Sequence, residues 1–157
     1  MHPGRVRRTR KLSTTEERRT RSPLFFDFRH AVMLHDAITE RVLGAAMKVH
    51  TALGAGCLES TYDACFRYQL TKDRIAFAHQ VRLPVMYDGV QVDAGYRIDF
   101  LVENCVIVEL KAVEKLLPLH LAQVLTYLKL SGHRVGLLIN FNVPHLRDGI
   151  KRLMNEQ

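Results

Sequence analysis

The stretch that decides the fold is YRIDFLVENCVIVELK, residues 96–111. Two apolar runs flank the dipeptide Glu-Asn at 103–104, so the stretch predicts two antiparallel strands joined by a short turn. Each run carries an acid among apolar neighbours, Asp99 in the first and Glu109 in the second, and Lys111 follows Glu109 by two positions. Because side chains alternate along a strand, Glu109 and Lys111 are expected on one face.

Two carboxylates are predicted to meet at the edge of this apolar layer. Pairing about the turn sets Asp99 opposite roughly residue 108, next to Glu109. Like charges at close range repel unless a cation joins them, and oxygen ligands without His or Cys suit Mg²⁺ or Mn²⁺. Such a site keeps waters, one of which could become a nucleophile beside Lys111. The alternative is a solvated face with salt bridges from Asp99 to Arg97 and from Glu109 to Lys111.

The rest of the chain alternates between helical and strand periods. Gly54 and Gly56 separate two helical segments, and Asp88-Gly89 is a strong hairpin signal between two segments of period two. The predicted elements are helices at 35–53 and 58–73, strands at 79–87, 90–102 and 105–111, a helix at 117–132, a strand at 134–141 and a closing helix at 145–157. This order, α-α-β-β-β-α-β-α, predicts an α/β domain with a mixed central β-sheet flanked by helices.

Polar side chains on two predicted helices could join the carboxylate pair. Gln123 and Tyr127 share one helical stripe with His120 and could hydrogen-bond a phosphate or hold Lys111. For His120, a surface position is the preferred interpretation. Glu59 lies in the first turn of the second helix, where a carboxylate interacts favourably with the helix dipole, so capping alone could explain it.

The net charge of +7 is carried mostly by the N-terminal segment. Eight basic and two acidic side chains in residues 1–22 account for six of the seven charges, and no helical or strand period is present. Residues 1–32 are therefore predicted to be a disordered basic tail and 33–157 a single domain. The tail could add phosphate contacts or act as a transit peptide, or translation could begin at Met33.

Cysteine spacing and hydropathy bear on the compartment. No apolar run approaches the ~20 residues that span a bilayer, and the N-terminus has no secretory signal. Cys57, Cys65 and Cys105 are isolated, which argues against a zinc knuckle or a disulfide framework and predicts buried small side chains. Together these features predict a cytoplasmic protein without a membrane partner.

The segment GCLESTY, residues 56–62, matches the G-x-x-E-x-x-Y signature and resembles the GxxExxY protein family. The blocks VHTALGAGCLESTY, YRIDFLVENCVIVELKAVE and GLLINF also look like that family, so the likeness runs from about residue 36 to the C-terminus. The family is similar to the PD-(D/E)XK nuclease superfamily, which has a restriction-endonuclease-like α/β core. The resemblance implies phosphodiester hydrolysis in nucleic acid.

The resemblance also implies roles for residues on the two strands. Asp99 matches the motif aspartate, with Ile98 in the place of the motif's proline, and Glu109 and Lys111 match the (D/E)-x-K. Asp99, Glu109 and the Leu110 carbonyl would then hold Mg²⁺ or Mn²⁺, and Lys111 would position the attacking water.

The helices supply the remaining site residues under the same resemblance. Glu59 fits the acidic residue on the helix before the sheet and would bind the metal through water or a second ion. Gln123 and Tyr127 resemble the Q-x-x-x-Y of RecB-like branches and would support the phosphate side of the site.

Two classes of function follow from these predictions. The first is a metal-dependent deoxyribonuclease that works by in-line attack of water, alone, as a homodimer or in a larger complex. The second is a nuclease-fold module that binds nucleic acid or a protein partner without cutting. The complete set of Asp99, Glu109, Lys111 and Gln123 favours the enzyme. Against it, the chain beyond the tail is nearly neutral and offers no evident basic surface.

Overall fold

The computed structural model describes residues 28–156. The elements in chain order are α1 (Phe28–Leu53), α2 (Glu59–Lys72), β1 (Phe77–Tyr87), β2 (Val90–Val102), β3 (Val106–Lys111), α3 (Pro118–Ser131), β4 (Val135–Asn140), a short 3₁₀ helix (Leu146–Gly149) and β5 (Ile150–Met154). Helix α1 begins earlier than the predicted His35. The predicted tail lies outside the described residues up to position 27, so the tail and the domain boundary stay predictions. Between residues 28 and 156, no helix is both long and apolar enough to cross a bilayer.

The five strands form one mixed sheet in the order β1-β2-β3-β4-β5. Strands β1, β2 and β3 make an antiparallel meander, and α3 crosses over to β4, which is parallel to β3. Strand β5 closes the sheet antiparallel to β4. The inner strands β3 and β4 are buried along their whole length, apart from Lys111 at the end of β3. The predicted α/β class and mixed sheet are confirmed.

Helices cover the sheet on both faces. Helices α1 and α2 pack on one face around an aromatic cluster, in which Tyr62 stacks on Phe141 with ring centroids 4.6 Å apart. Helix α3 packs on the other face through Val124, Tyr127 and Leu128. The three cysteines are free and lie partly buried against the core under α1 and α2. The apolar faces of β3 and β4 are therefore both covered, as a buried parallel pair requires.

The turn between β2 and β3 is one residue longer than predicted. Glu103 and Asn104 both have left-handed backbone conformations, with φ of 50° and 52°. The Cys105 N–H donates to the Val102 carbonyl at 2.9 Å and so belongs to the turn. Strand β3 consequently begins at Val106, and not at the predicted Cys105.

The longer turn changes the register between β2 and β3. Phe100 pairs with Val108, so the predicted pairing of residue 99 with about residue 108 is wrong by one position. Continued by one residue, the observed register sets Asp99 level with Glu109. The correction therefore brings the two carboxylates to the same level of the sheet.

The predicted closing helix over residues 145–157 is wrong. The chain makes one 3₁₀ turn and then enters β5, which pairs antiparallel with β4. Ile150, Leu153 and Met154 have helical spacing, but β4 is buried and the backbone groups on its outer edge need hydrogen-bond partners. A strand supplies those partners, so tertiary pairing overrides the local pattern.

Candidate active site

A cleft of about 420 Å³ opens between α2 and the sheet, where β2 separates from β3. One wall is the exposed stripe of α2, and the other is formed by β1, β2 and the end of β3. Its chemically active side chains are mostly acidic. The wall residues that matter below are Glu59, Asp63 and Arg67 from the helix and Gln80, Asp99 and Leu110 from the sheet.

Asp99 lies at a break in the alternation of β1 and β2. The ladder between these strands skips Gln80 and Asp99, and Gln80 has a φ of 54°, which is unfavourable for a side chain other than glycine. Phe100 belongs to the core under α1 and α2, whereas Ile98 belongs to the core under α3. The strand thus changes face at Asp99, and this frees the carboxylate from either core.

The carboxylate of Asp99 is held by two donors. Its Oδ2 accepts a hydrogen bond from the backbone N–H of Leu110 at 3.0 Å, and its Oδ1 accepts one from Gln80 Nε2 at 3.2 Å. The alternative of an Asp99–Arg97 salt bridge is wrong, because neither donor is an arginine. Instead, Asp99 is fixed directly against the end of β3, beside Glu109.

Glu109 is a nearly unexposed carboxylate, with 3% of its surface accessible. Its Oε1 accepts a hydrogen bond from Lys111 Nζ at 2.9 Å, while its Oε2 is buried and has no partner among the described residues. Burial, and then the negative charge of Asp99, raise the pKa of Glu109 to about 7, although Lys111 opposes the shift. The predicted Glu109–Lys111 pair therefore exists, but the solvated face predicted for it is wrong.

Lys111 keeps its charge although its side chain is mostly buried. Burial lowers the pKa of the ammonium, but the hydrogen bond to Glu109 and the surrounding negative charges outweigh it, so the pKa is raised. The backbone beyond the side chain is also tied down. The Phe141 N–H donates to the Lys111 carbonyl at 2.8 Å, and Asn140 exchanges two hydrogen bonds with the backbone of Val113. Lys111 is therefore a fixed donor at neutral pH.

The loop before α2 explains how the G-x-x-E-x-x-Y sequence positions Glu59. Gly56 has a φ of 98°, a conformation that favours glycine. The fully buried Tyr62 donates its hydroxyl to the Gly54 carbonyl at 2.6 Å and accepts from the Cys57 N–H at 3.2 Å. Helix α2 then begins at Glu59, which is exposed at the cleft. The glycine shapes the loop, the tyrosine clamps it, and the glutamate reaches the site.

Gln123 and Tyr127 lie together on α3, under the other face of the sheet. Gln123 Nε2 donates to the Tyr127 hydroxyl at 2.7 Å. Tyr127 is buried, and burial followed by the charge of Glu109 raises the pKa of Tyr127. His120 Nδ1 accepts from the Leu117 N–H at the start of α3, and His120 lines a groove together with Gln123 and Tyr96. Gln123 is not among the residues that line the acidic cleft, and the roles of Gln123 and Tyr127 at the site stay predictions.

Three charged or amide side chains of the cleft were not predicted from the sequence: Asp63, Arg67 and Gln80. Asp63 and Arg67 follow Glu59 at four-residue spacing, so the helical stripe was a signal that could have found them. The Asp63 carboxylate accepts a hydrogen bond from His79 Nε2 at 2.9 Å. Gln80 has no sequence signal, because its place in the cleft depends on the break in the strand.

The chemistry of the carboxylates tests whether a metal would fit. Between residues 35 and 156, no three His, Cys, Asp or Glu side chains lie close enough to hold a metal by themselves. Asp99, Glu109 and the Leu110 carbonyl would leave the remaining positions to water, which is how Mg²⁺ is usually bound. The buried Oε2 of Glu109, without a hydrogen-bond partner, is a ready acceptor for a cation. The residues present therefore fit Mg²⁺ or Mn²⁺.

The raised pKa of Glu109 predicts that ionisation of this carboxyl lowers the stability of the metal-free protein as the pH rises. The carboxyl binds its proton more tightly when folded, so its contribution to stability is complete below the usual pKa of 4.5 and is lost as the pH rises through about 7. Glu109→Gln removes the charge and keeps an acceptor for Lys111. In EDTA, the variant should unfold with a free energy on the order of 2 kcal/mol higher than wild type near pH 8, and with little difference near pH 5.

Urea unfolding of both proteins at the two pH values measures this difference directly. Groups remote from Glu109 titrate equally in both proteins, so their contributions cancel in the comparison. A difference that does not change with pH would contradict the assignment of the raised pKa to Glu109.

Comparison with known proteins gives one match. The sequence matches the PD-(D/E)XK nuclease superfamily over residues 36–153, which includes both walls of the cleft. A search of curated proteins finds no match, and a search of solved structures finds none either. The match does not test the GxxExxY branch, which stays a prediction, but it bears out the restriction-endonuclease-like core. The chain belongs to the PD-(D/E)XK nuclease superfamily.

Proposed function

We propose that this protein is a metal-dependent nuclease that hydrolyses phosphodiester bonds in DNA with Mg²⁺ or Mn²⁺. The observation that carries the proposal is the state of Glu109: a buried carboxylate with one unpartnered oxygen, next to Asp99 and Lys111. A purely structural ion pair gains nothing from a second carboxylate beside it or from an acceptor without a donor. Such an arrangement destabilises the protein without a ligand, and it is expected where a bound ligand removes that destabilisation.

The roles of the strand residues follow from their contacts. Asp99, Glu109 and the Leu110 carbonyl would hold the cation, which when bound supplies charge stabilisation at the phosphate and a more acidic water. Lys111 has a raised pKa and remains an ammonium, so it acts as a hydrogen-bond donor that orients the attacking water and does not take its proton. Leu110 also donates its N–H to Asp99, which keeps that carboxylate from rotating away.

The helix residues act around this centre. Glu59 lies on the other wall of the cleft and would contact waters of the cation or a second ion. Gln123 would reach the phosphate, and Tyr127 is a positioning residue because its hydroxyl fixes the Gln123 amide. A cytoplasmic location and a homodimer or larger complex are part of the proposal from the sequence.

Cleavage by the purified full chain tests the proposal. Labelled single-stranded DNA, double-stranded DNA and RNA are incubated with Mg²⁺, with Mn²⁺ and with EDTA. We expect DNA cleavage with either metal and none with EDTA, and the same loss in Asp99→Asn. Binding without cleavage under every metal condition would reject the enzyme in favour of a non-catalytic binding module. Cleavage of RNA alone would reject DNA as the substrate.

A further inference from the structure

The hairpin formed by β1 and β2 extends well beyond the rest of the sheet. Only Phe100, Leu101 and Val102 of β2 pair with β3, whereas β1 and β2 stay paired out to Tyr87 and Val90. Residues 81–98 therefore form a two-stranded arm. Its first strand has seven residues, 81–87, and is about 23 Å long. Apart from a few positions, this arm is exposed.

Two arginines lie directly opposite each other on this arm. Arg82 pairs with Arg97 across the strands, and both side chains are exposed. Like charges at opposed positions destabilise a strand pair. Arg82 has only a weak partner, Asp93 at 3.8 Å, and Arg97 makes no ion pair with any residue that the structure describes. An anion lying across the two guanidinium groups would relieve the repulsion.

The arginine pair is on the cleft side of the arm. Val81, Leu83 and Ile98 pack into the core under α3, so the alternating positions turn Arg82 and Arg97 to the opposite face, the face of α2. Arg82 follows the cleft residue Gln80 by two positions, a distance of about 7 Å along the strand. Arg67 borders the same cleft from α2. The acidic centre is therefore flanked by three arginines.

The chemistry of this face fits phosphate and not stacked bases. Guanidinium groups bind phosphates through paired N–H donors, whereas proteins that track single strands place aromatic rings along the path. The arm carries two aromatic side chains: Tyr96 packs on Tyr127 of α3 with centroids 6.0 Å apart, and Tyr87 is at the hairpin tip, five residues along the strand from Arg82. Phosphates held without base stacking are the mode of duplex binding.

We propose that the arm of residues 81–98 is the duplex-binding element of this protein, in which Arg82 and Arg97 hold backbone phosphates next to the cleft. The inference rests on the proposed nuclease function and names its substrate as double-stranded DNA. It also supplies a basic surface on a domain that is nearly neutral outside the tail, because the relevant charges are few and concentrated on one face.

Binding without metal separates the arm from catalysis. The full chain in EDTA is titrated into a labelled DNA duplex of about 20 base pairs, and into one of its strands, between about 50 and 200 mM salt. Arg82→Ala/Arg97→Ala should weaken duplex binding, with a slope of log K against log salt shallower by about 1.8. The control Lys129→Ala/Lys151→Ala removes two exposed positive charges from α3 and β5 and should keep the wild-type slope. The melting temperature of the arginine variant should be equal to or above that of wild type, because the opposed charges are gone.

The other outcomes of this experiment distinguish a failure of the proposed arm from a failure of the proposed nuclease function. An unchanged duplex slope, an equal loss in the lysine control, or an equal loss for the single strand would overturn the proposed arm. If wild type cleaves duplex DNA and the arginine variant cleaves it equally well, the arm fails while the nuclease function stands. If wild type binds duplex through the arginines but cleaves nothing with Mg²⁺ or Mn²⁺, the nuclease function fails and the binding role of the arm stands.

Discussion

Lys111→Ala is expected to reduce the rate of DNA cleavage by about 100- to 1,000-fold at neutral pH, the usual effect of removing one fixed donor from an active site. The ammonium is held by Glu109 at 2.9 Å and by the fixed backbone of β3. Strand β3 carries no second basic side chain that could replace it. Its removal takes away both the donor to water and the positive charge beside the two carboxylates. Initial rates with saturating Mg²⁺ give the measurement.

In this experiment, a loss of activity caused by misfolding must be distinguished from a loss of the chemical role of Lys111. The alanine variant leaves the buried Glu109 without its partner, but the pKa of that carboxyl is already about 7, so it can take up a proton. Lys111→Gln is the matched variant, because its amide can still donate to Glu109 while carrying no charge. Lys151→Ala, at an exposed position on β5, should cleave like wild type. A folded alanine or glutamine variant with more than about a tenth of wild-type activity would contradict the role of Lys111.

Gly149→Ala is expected to destabilise the protein by about 3 kcal/mol, the upper part of the range for overpacking. A methyl group at this position would overlap the backbone carbonyl of Asn140 and approach Val143 Cγ2 to 3.0 Å. The carbonyl belongs to the end of β4 and cannot move without disturbing the β4–β5 edge. Guanidinium unfolding followed by circular dichroism measures the change.

Gly44→Ala is the matched control because it is the same substitution at an open position. Gly44 lies within α1, and a methyl group there meets no atom within 4 Å. Alanine should therefore raise the free energy of unfolding by about 0.5–1 kcal/mol through helix propensity alone. If Gly149→Ala were as stable as wild type, the close approach of the 3₁₀ turn to β4 would be refuted, and with it the account of why the C-terminal segment is a strand.

The parts of the fold set by local pattern could be predicted from the sequence. The hairpin at Asp88-Gly89, the return strand over 90–102 and the helix that stops at Gly132 agree with the structure because turn residues and side-chain period act over a few positions. The β5 strand could not be predicted in this way. Its apolar spacing suits a helix, and the deciding factor is the unpaired edge of β4, which no local pattern contains.

The same distinction between local pattern and tertiary pairing applies to the residues of the candidate site. Asp99 and Glu109 are recognisable because acids are rare between apolar strand residues, and the sequence also places Lys111 beside Glu109. The break at Gln80 and Asp99 was not predictable, since it exists only when two strands are paired and covered by different helices. The Cys105 turn is a smaller case. One extra turn residue shifted the register, and that shift sets Asp99 level with Glu109.

The central claim is that Asp99 and Glu109 hold a divalent cation beside Lys111. Crystals of the protein soaked in Mn²⁺ and measured at the manganese absorption edge test it most directly. The account predicts an anomalous peak in contact with both carboxylates and the Leu110 carbonyl, and its loss in Asp99→Asn. A Mn²⁺ concentration that supports cleavage but gives no peak there, or a peak that is unchanged in Asp99→Asn, would contradict it.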